Sequence, residues 1–116
     1  MEIYCPKHPQ QWYREGGSQM VRHIVLWKLK DAETANAAGH GASLRSRFKS
    51  LIGVVDGLKA IEVGVNYKAG DYDLCLVADF TDKQAEEAYQ QHPEHLKIKQ
   101  IVHSLVKART AFDYEY

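Results

Sequence analysis

The chain has 116 residues, 45% of them hydrophobic and 26% charged, the balance of one globular domain and too little material for two independent cores. Fifteen Lys and Arg meet fifteen Asp and Glu, which argues against a phosphate-binding nucleic-acid surface and does little to keep identical copies apart. No apolar run approaches the ~20 residues that cross a bilayer, and two cysteines, Cys5 and Cys75, are too few for a disulfide scaffold.

Residues 1–19 are polar, carry Pro6, Pro9, Gly16 and Gly17, and show no sustained period of 2 or 3.6. They read as an N-terminal extension to a domain over residues 20–116. They contain no apolar segment of the secretory kind, so the expected location is the cytoplasm. Cys5 and His8 have metal-like spacing, but a zinc site needs about four ligands and no second pair follows nearby. Neither a metal nor a cofactor is expected.

Residues 21–30 form the first predicted strand. Val21, His23, Val25, Trp27 and Leu29 point one way, and Arg22, Ile24, Leu26, Lys28 and Lys30 the other. Both faces carry apolar side chains, so both are expected to be covered at least in part. A helix follows over about 32–52, with Leu44, Phe48, Leu51 and Ile52 at helical spacing. Gly39 and Gly41 cost its early half about 1 kcal/mol each against Ala, so irregularity is expected there. Residues 58–66 and 73–80 read as two strands of an antiparallel hairpin around a Gly- and Asp-containing turn.

Thr81 or Asp82 caps the next helix, with Gln84 placed for a capping box behind Thr81. That helix ends near Gln91, because Pro93 disfavours helical geometry at His92. Pro93 then suits the first turn of a new helix with Ile98, Ile101, Val102 and Leu105 as its apolar stripe. A last strand over 109–114 completes the order β-α-β-β-α-β, with the second α broken in two. This is the split β-α-β, ferredoxin-like α+β arrangement of four antiparallel strands. Its helices cover one face of the sheet. The apolar side chains of the other face call for a second copy, and a homodimer is expected.

His95 falls in the first turn after the break, where the positive end of the helix dipole disfavours imidazolium and favours a neutral base. Tyr89 is placed to donate a hydrogen bond from its phenol, and His23 stands alone among apolar side chains and needs a partner. Trp27 and Phe48 are candidates for cavity walls. His92 is expected to cap the break and is a further candidate for substrate contact. Gln90, beside it, has no assigned role. His23, His92 and His95 as a metal cluster lack a supporting carboxylate pattern.

The stretch Met-Val-Arg-His-Ile-Val-Leu-Trp-Lys-Leu-Lys at 20–30 resembles the opening of the stress-responsive dimeric α/β-barrel (Dabb) family. Residues 58–66, the Tyr-Asp-led segment 72–80, Ala-Tyr-Gln-Gln-His-Pro-Glu-His at 88–95 and Phe-Asp-Tyr at 112–114 resemble further pieces in the same order. The resemblance implies two ferredoxin-like protomers whose sheets form a barrel, without implying one reaction. Many members have no known activity. Some plant relatives cyclise polyketides without a cofactor, using a histidine and a tyrosine that correspond to His95 and Tyr89, and the family's first-strand histidine corresponds to His23. The expectation is therefore a stress-responsive dimer of unknown specific activity with a pocket for a small hydrophobic or aromatic ligand. The alternative is a cofactor-free cyclase-like or monooxygenase-like enzyme acting on a small carbonyl or aromatic compound, with His95 as base.

Overall fold

The alternation of β1, Val21–Leu29, is realised residue by residue: its odd positions are buried and its even ones half-buried. The structure, a computed structural model, describes residues 19–116. The N-terminal extension, with Cys5 and His8, lies outside the described residues apart from Gln19. After β1 the chain runs through a 3-10 helix, Asp31–Asn36, into α1, Ala37–Lys49. The hairpin of β2, Leu58–Val65, and β3, Leu74–Phe80, follows. Then come α2, Lys83–Gln91, α3, Pro93–Leu105, and β4, Val106–Glu115. The four strands form one antiparallel sheet in the order β2-β3-β1-β4, the ferredoxin-like order. Among the described residues no helix is long and apolar enough to cross a membrane.

Three local expectations need correction. The irregular part of the first helical region lies before Gly39 and Gly41, not at them, because residues 31–36 take 3-10 geometry. Both glycines sit inside regular α-helix. A methyl group added at Gly41 would lie 2.3 Å from Val65 Cγ2 and 3.4 Å from Leu74 Cδ2. The helix thus trades some propensity for a close approach to the hairpin. The cap of α2 is Asp82, whose side chain accepts from the Ala85 amide at 2.8 Å. With Asp82 as cap, Gln84 is no longer at the third helical position, and the box behind Thr81 does not form. The last strand is longer than 109–114, because it pairs with the whole of β1 across a bulge at Lys28 and Leu29.

The core lies between the sheet and the helices. Val25, Trp27, Leu29, Leu74, Leu76 and Phe80 from the strands meet Leu44, Phe48, Tyr89, Ile98 and Val102 from the helices. Among the described residues no helix packs against the opposite sheet face. It carries Ile24, Leu26, Cys75 and Val77, all half-buried, and Phe112, which is 66% exposed. Arg22 and Asp79 pair on that face at 2.7 Å, and the Arg22 guanidinium lies over the Tyr116 ring.

Candidate functional site

A cavity of about 260 Å³ opens between the sheet and α2–α3. It lies on the helix side of the sheet, within one chain, rather than inside a barrel of two sheets. Five of the six residues singled out from sequence line it: His23 and Trp27 from β1, Phe48 from α1, Tyr89 from α2 and His95 from α3. His92 does not. It occupies the break between α2 and α3, where its Nδ1 accepts from the Glu94 amide at 3.1 Å and caps α3. Pro93 at the start of α3 fixes that turn, and the turn sets His95 facing the sheet.

His95 is 7% exposed. Its ring stacks on Tyr89, with centroids 4.1 Å apart, and is tilted against Phe48 at 6.2 Å. Its Nδ1 is buried with no hydrogen-bond partner among the described residues. Burial lowers its pKa from 6.5 to about 4, with smaller downward pushes from Lys99 and His23 and an opposing pull from the Gln90 and Tyr89 backbone. The ring is therefore neutral at pH 7. The helix dipole predicts the same neutral state from the sequence; desolvation is the larger cause in the folded chain. Tyr89 is 1% exposed, and burial raises its pKa, helped by Glu86 and opposed by Arg109. It stays a phenol, and so a donor, across the physiological range.

His23 is buried too, and its partner is Asp113, opposite it in the β1–β4 register. A carboxylate only accepts, so Asp113 holds a proton on His23 Nδ1. In the neutral ring Nε2 is then the acceptor. It lies 3.5 Å from the Gln90 side-chain nitrogen, which also donates to Glu86 at 2.6 Å. Tyr89 meets the His23 ring edge-on at 6.1 Å. Trp27 and Phe48 stack at 5.9 Å and form an apolar wall.

The site contains residues that the sequence reading passed over. Gln90 lines the cavity and joins His23 to Glu86, so it is no bystander. Lys99 and His103 line it from α3 and Arg109 from β4. His95, Lys99 and His103 recur every four residues, one helix face, and that signal was available in the sequence. Asp113 and Arg109 were not legible, since their place depends on strand register. The metal question also changes its residues. His23, Glu86 and Asp113 have ligand atoms within 4.8 Å of one another, whereas His92 stands apart. These three already engage protein partners: His23 with Asp113, and Glu86 with Gln90.

The family model of the stress responsive A/B barrel domain, Dabb, matches residues 21–116. The chain belongs to the Dabb family. The match takes in every strand and helix described above, and the cavity with them. Solved structures agree on the fold. A dimeric ferredoxin-like protein of unknown function from Bacteroides fragilis is 29% identical with a TM-score of 0.73, over 84% of this chain and 96% of that one. A second such protein, from Thermobifida fusca, is 26% identical with a TM-score of 0.71, over 85% and 92%. A hydroxynitrile lyase from Passiflora edulis shares the fold at 13% identity with a TM-score of 0.70, over 86% and 95%. A search of curated proteins gives no match. No specific activity follows for this Dabb chain from the family or from these relatives.

Proposed function

We propose that this Dabb chain works as a homodimer in which each protomer binds a small, largely apolar compound bearing a carbonyl or hydroxyl group. The observation that carries the ligand reading is the cavity itself. It is bounded by the Trp27–Phe48 stack and ends on the neutral, stacked pair His95 and Tyr89. A mostly apolar, concave site with a few convergent polar groups is the ordinary form of a small-molecule site. The Nδ1 of His95 is buried with no hydrogen-bond partner among the described residues, and such groups gather at sites of binding and chemistry.

The uncovered sheet face supports the dimer. Ile24, Leu26, Val77 and Phe112 form an apolar surface with no helix over it among the described residues, and both bacterial relatives named above are described as dimeric. The proposed location is the cytoplasm, which suits a chain with two cysteines. The proposed domain is 20–116, with 1–19 as an extension.

A fragment screen followed by NMR on the Trp27 indole tests the ligand reading. Aryl ketones and phenols are expected to shift that signal, and Val102→Trp, which fills the cavity, is expected to abolish the shifts. Shifts that survive Val102→Trp refute the cavity as the binding place. A second reading, cofactor-free proton transfer, is favoured by one observation: a neutral, buried imidazole stacked on a buried phenol. His95 would accept a proton from the carbon beside a carbonyl, and Tyr89 would donate a hydrogen bond to the enolate oxygen. Deuterium exchange at that carbon, measured in heavy water, should be accelerated by the wild-type chain and not by His95→Leu. Equal exchange with both proteins would remove the enzymatic reading and leave the binding one.

A further inference from the structure

The cavity mouth carries a charge pattern that its apolar walls do not require. Lys99 and His103 stand one turn apart on α3, and Arg109 faces them from β4. Arg109 is opposite Trp27 in the strand register, so its side chain rises on the helix side of the sheet, beside the cavity. Among the described residues no Asp or Glu lines the cavity.

The cations at the mouth are also unspent. Neighbouring Lys97 and Lys107 are paired, with Glu94 at 3.0 Å and Asp31 at 2.7 Å. Among the described residues, neither Lys99 nor Arg109 enters an ion pair. Both act electrostatically on the buried pair: Lys99 adds to the lowering of the His95 pKa, and Arg109 opposes the rise at Tyr89. All three residues lie away from the uncovered sheet face, so a dimer formed through that face leaves them open.

We propose that Lys99, His103 and Arg109 form an anion-recognising rim, and that the ligand is an amphipathic anion with an aromatic or acyl body and a carboxylate. The body fills the space bounded by Val25, Trp27, Phe48 and Val102, and its polar atoms meet Tyr89 and His95. The carboxylate stays at the mouth, where Arg109 offers a planar pair of donors and Lys99 a point charge. Keeping the anion at the rim spares it the desolvation that the buried floor would impose. This inference rests on the cavity being a ligand site.

A matched pair of probes tests it. 2-Naphthoate and 2-naphthamide share one body and differ in charge. Each is titrated into the full chain while the Trp27 indole is followed by NMR, in low salt and again in high salt. The acid is expected to bind at least about tenfold more tightly than the amide, the effect of one charge-assisted hydrogen bond. Added salt should erode that advantage. The double variant Lys99→Gln/Arg109→Gln should bring the acid to the level of the amide and leave the amide unchanged. Equal binding of acid and amide by the wild-type chain overturns the rim while the cavity stands. An acid preference that survives the double variant does the same. If neither probe shifts the Trp27 signal, the ligand-site reading falls and the rim falls with it.

Discussion

Acid should weaken this protein through one buried histidine. The folded state holds the His95 pKa at about 4, against 6.5 for the free side chain. Between those values the unfolded chain takes up a proton that the folded chain refuses. Stability is therefore full above about pH 6.5 and declines as the pH falls toward 4. The whole effect is about 3 kcal/mol, and about 2 kcal/mol of it is lost between pH 7 and pH 5. His95→Leu removes the titrating group and also the orphaned Nδ1, whose burial costs roughly 1–3 kcal/mol. The variant should match or exceed the wild type in stability at pH 7. Its margin should widen by about 2 kcal/mol at pH 5. Urea unfolding at a fixed protomer concentration, repeated every half unit of pH, measures both curves. Every other titrating group is common to the two proteins, so their difference isolates His95. Parallel curves from pH 7 to pH 5 would show that the ring is solvated in the folded state, and the neutral-base argument would go with them.

Three further outcomes are expected. Sedimentation equilibrium should give about twice 13.2 kDa, and Phe112→Asp on the uncovered face should shift the protein toward monomer; a folded wild-type monomer at micromolar concentration would sink the dimer. Asp82→Ala and His92→Ala should each lower stability by about 1 kcal/mol through loss of a helix cap, seen as a lower urea midpoint at unchanged slope. Removal of residues 1–19 should leave one cooperative thermal transition; its loss would show that this extension belongs to the core.

What could be read from the sequence was whatever is decided locally. The alternation in residues 21–29 needs only the period of a strand, and it assigned His23 and Trp27 to the same face as the core. The break at His92 and Pro93 needs only the steric rule for the residue before proline, and it placed His95 in a first helical turn. Features settled by distant partners were hidden. Gly41 looked like a weakness of the helix until Val65 was seen above it. Gln90 looked idle because Glu86 and His23 give it meaning only after α2 lies on β1. Asp113 could be assigned to His23 only once the β1–β4 register was known. The low pKa of His95 was anticipated in direction from the dipole, yet its main cause is desolvation, which no local pattern encodes.

β4 is the strand through which these parts depend on one another. It is an edge strand, exposed along most of its length. Its helix-side positions supply Asp113, which orients His23, and Arg109 at the cavity mouth. Its opposite positions supply Phe112 and Tyr114, which stand on the uncovered face beside Arg22. Strand alternation makes these two sets inseparable: whatever packs on Phe112 also fixes the backbone that carries Asp113. The apolar walls of the cavity come mostly from β1, β3, α1 and α3, with Val25, Trp27, Leu76, Phe48 and Val102, all of which the core already holds. Two polar members of the site, Arg109 and the Asp113-held His23, thus lean on an exposed edge. In the homodimer proposed above, pairing on the outer face would steady that edge, and the placing of His23 and Arg109 in each cavity would be set by an interface on the other side of the same strand.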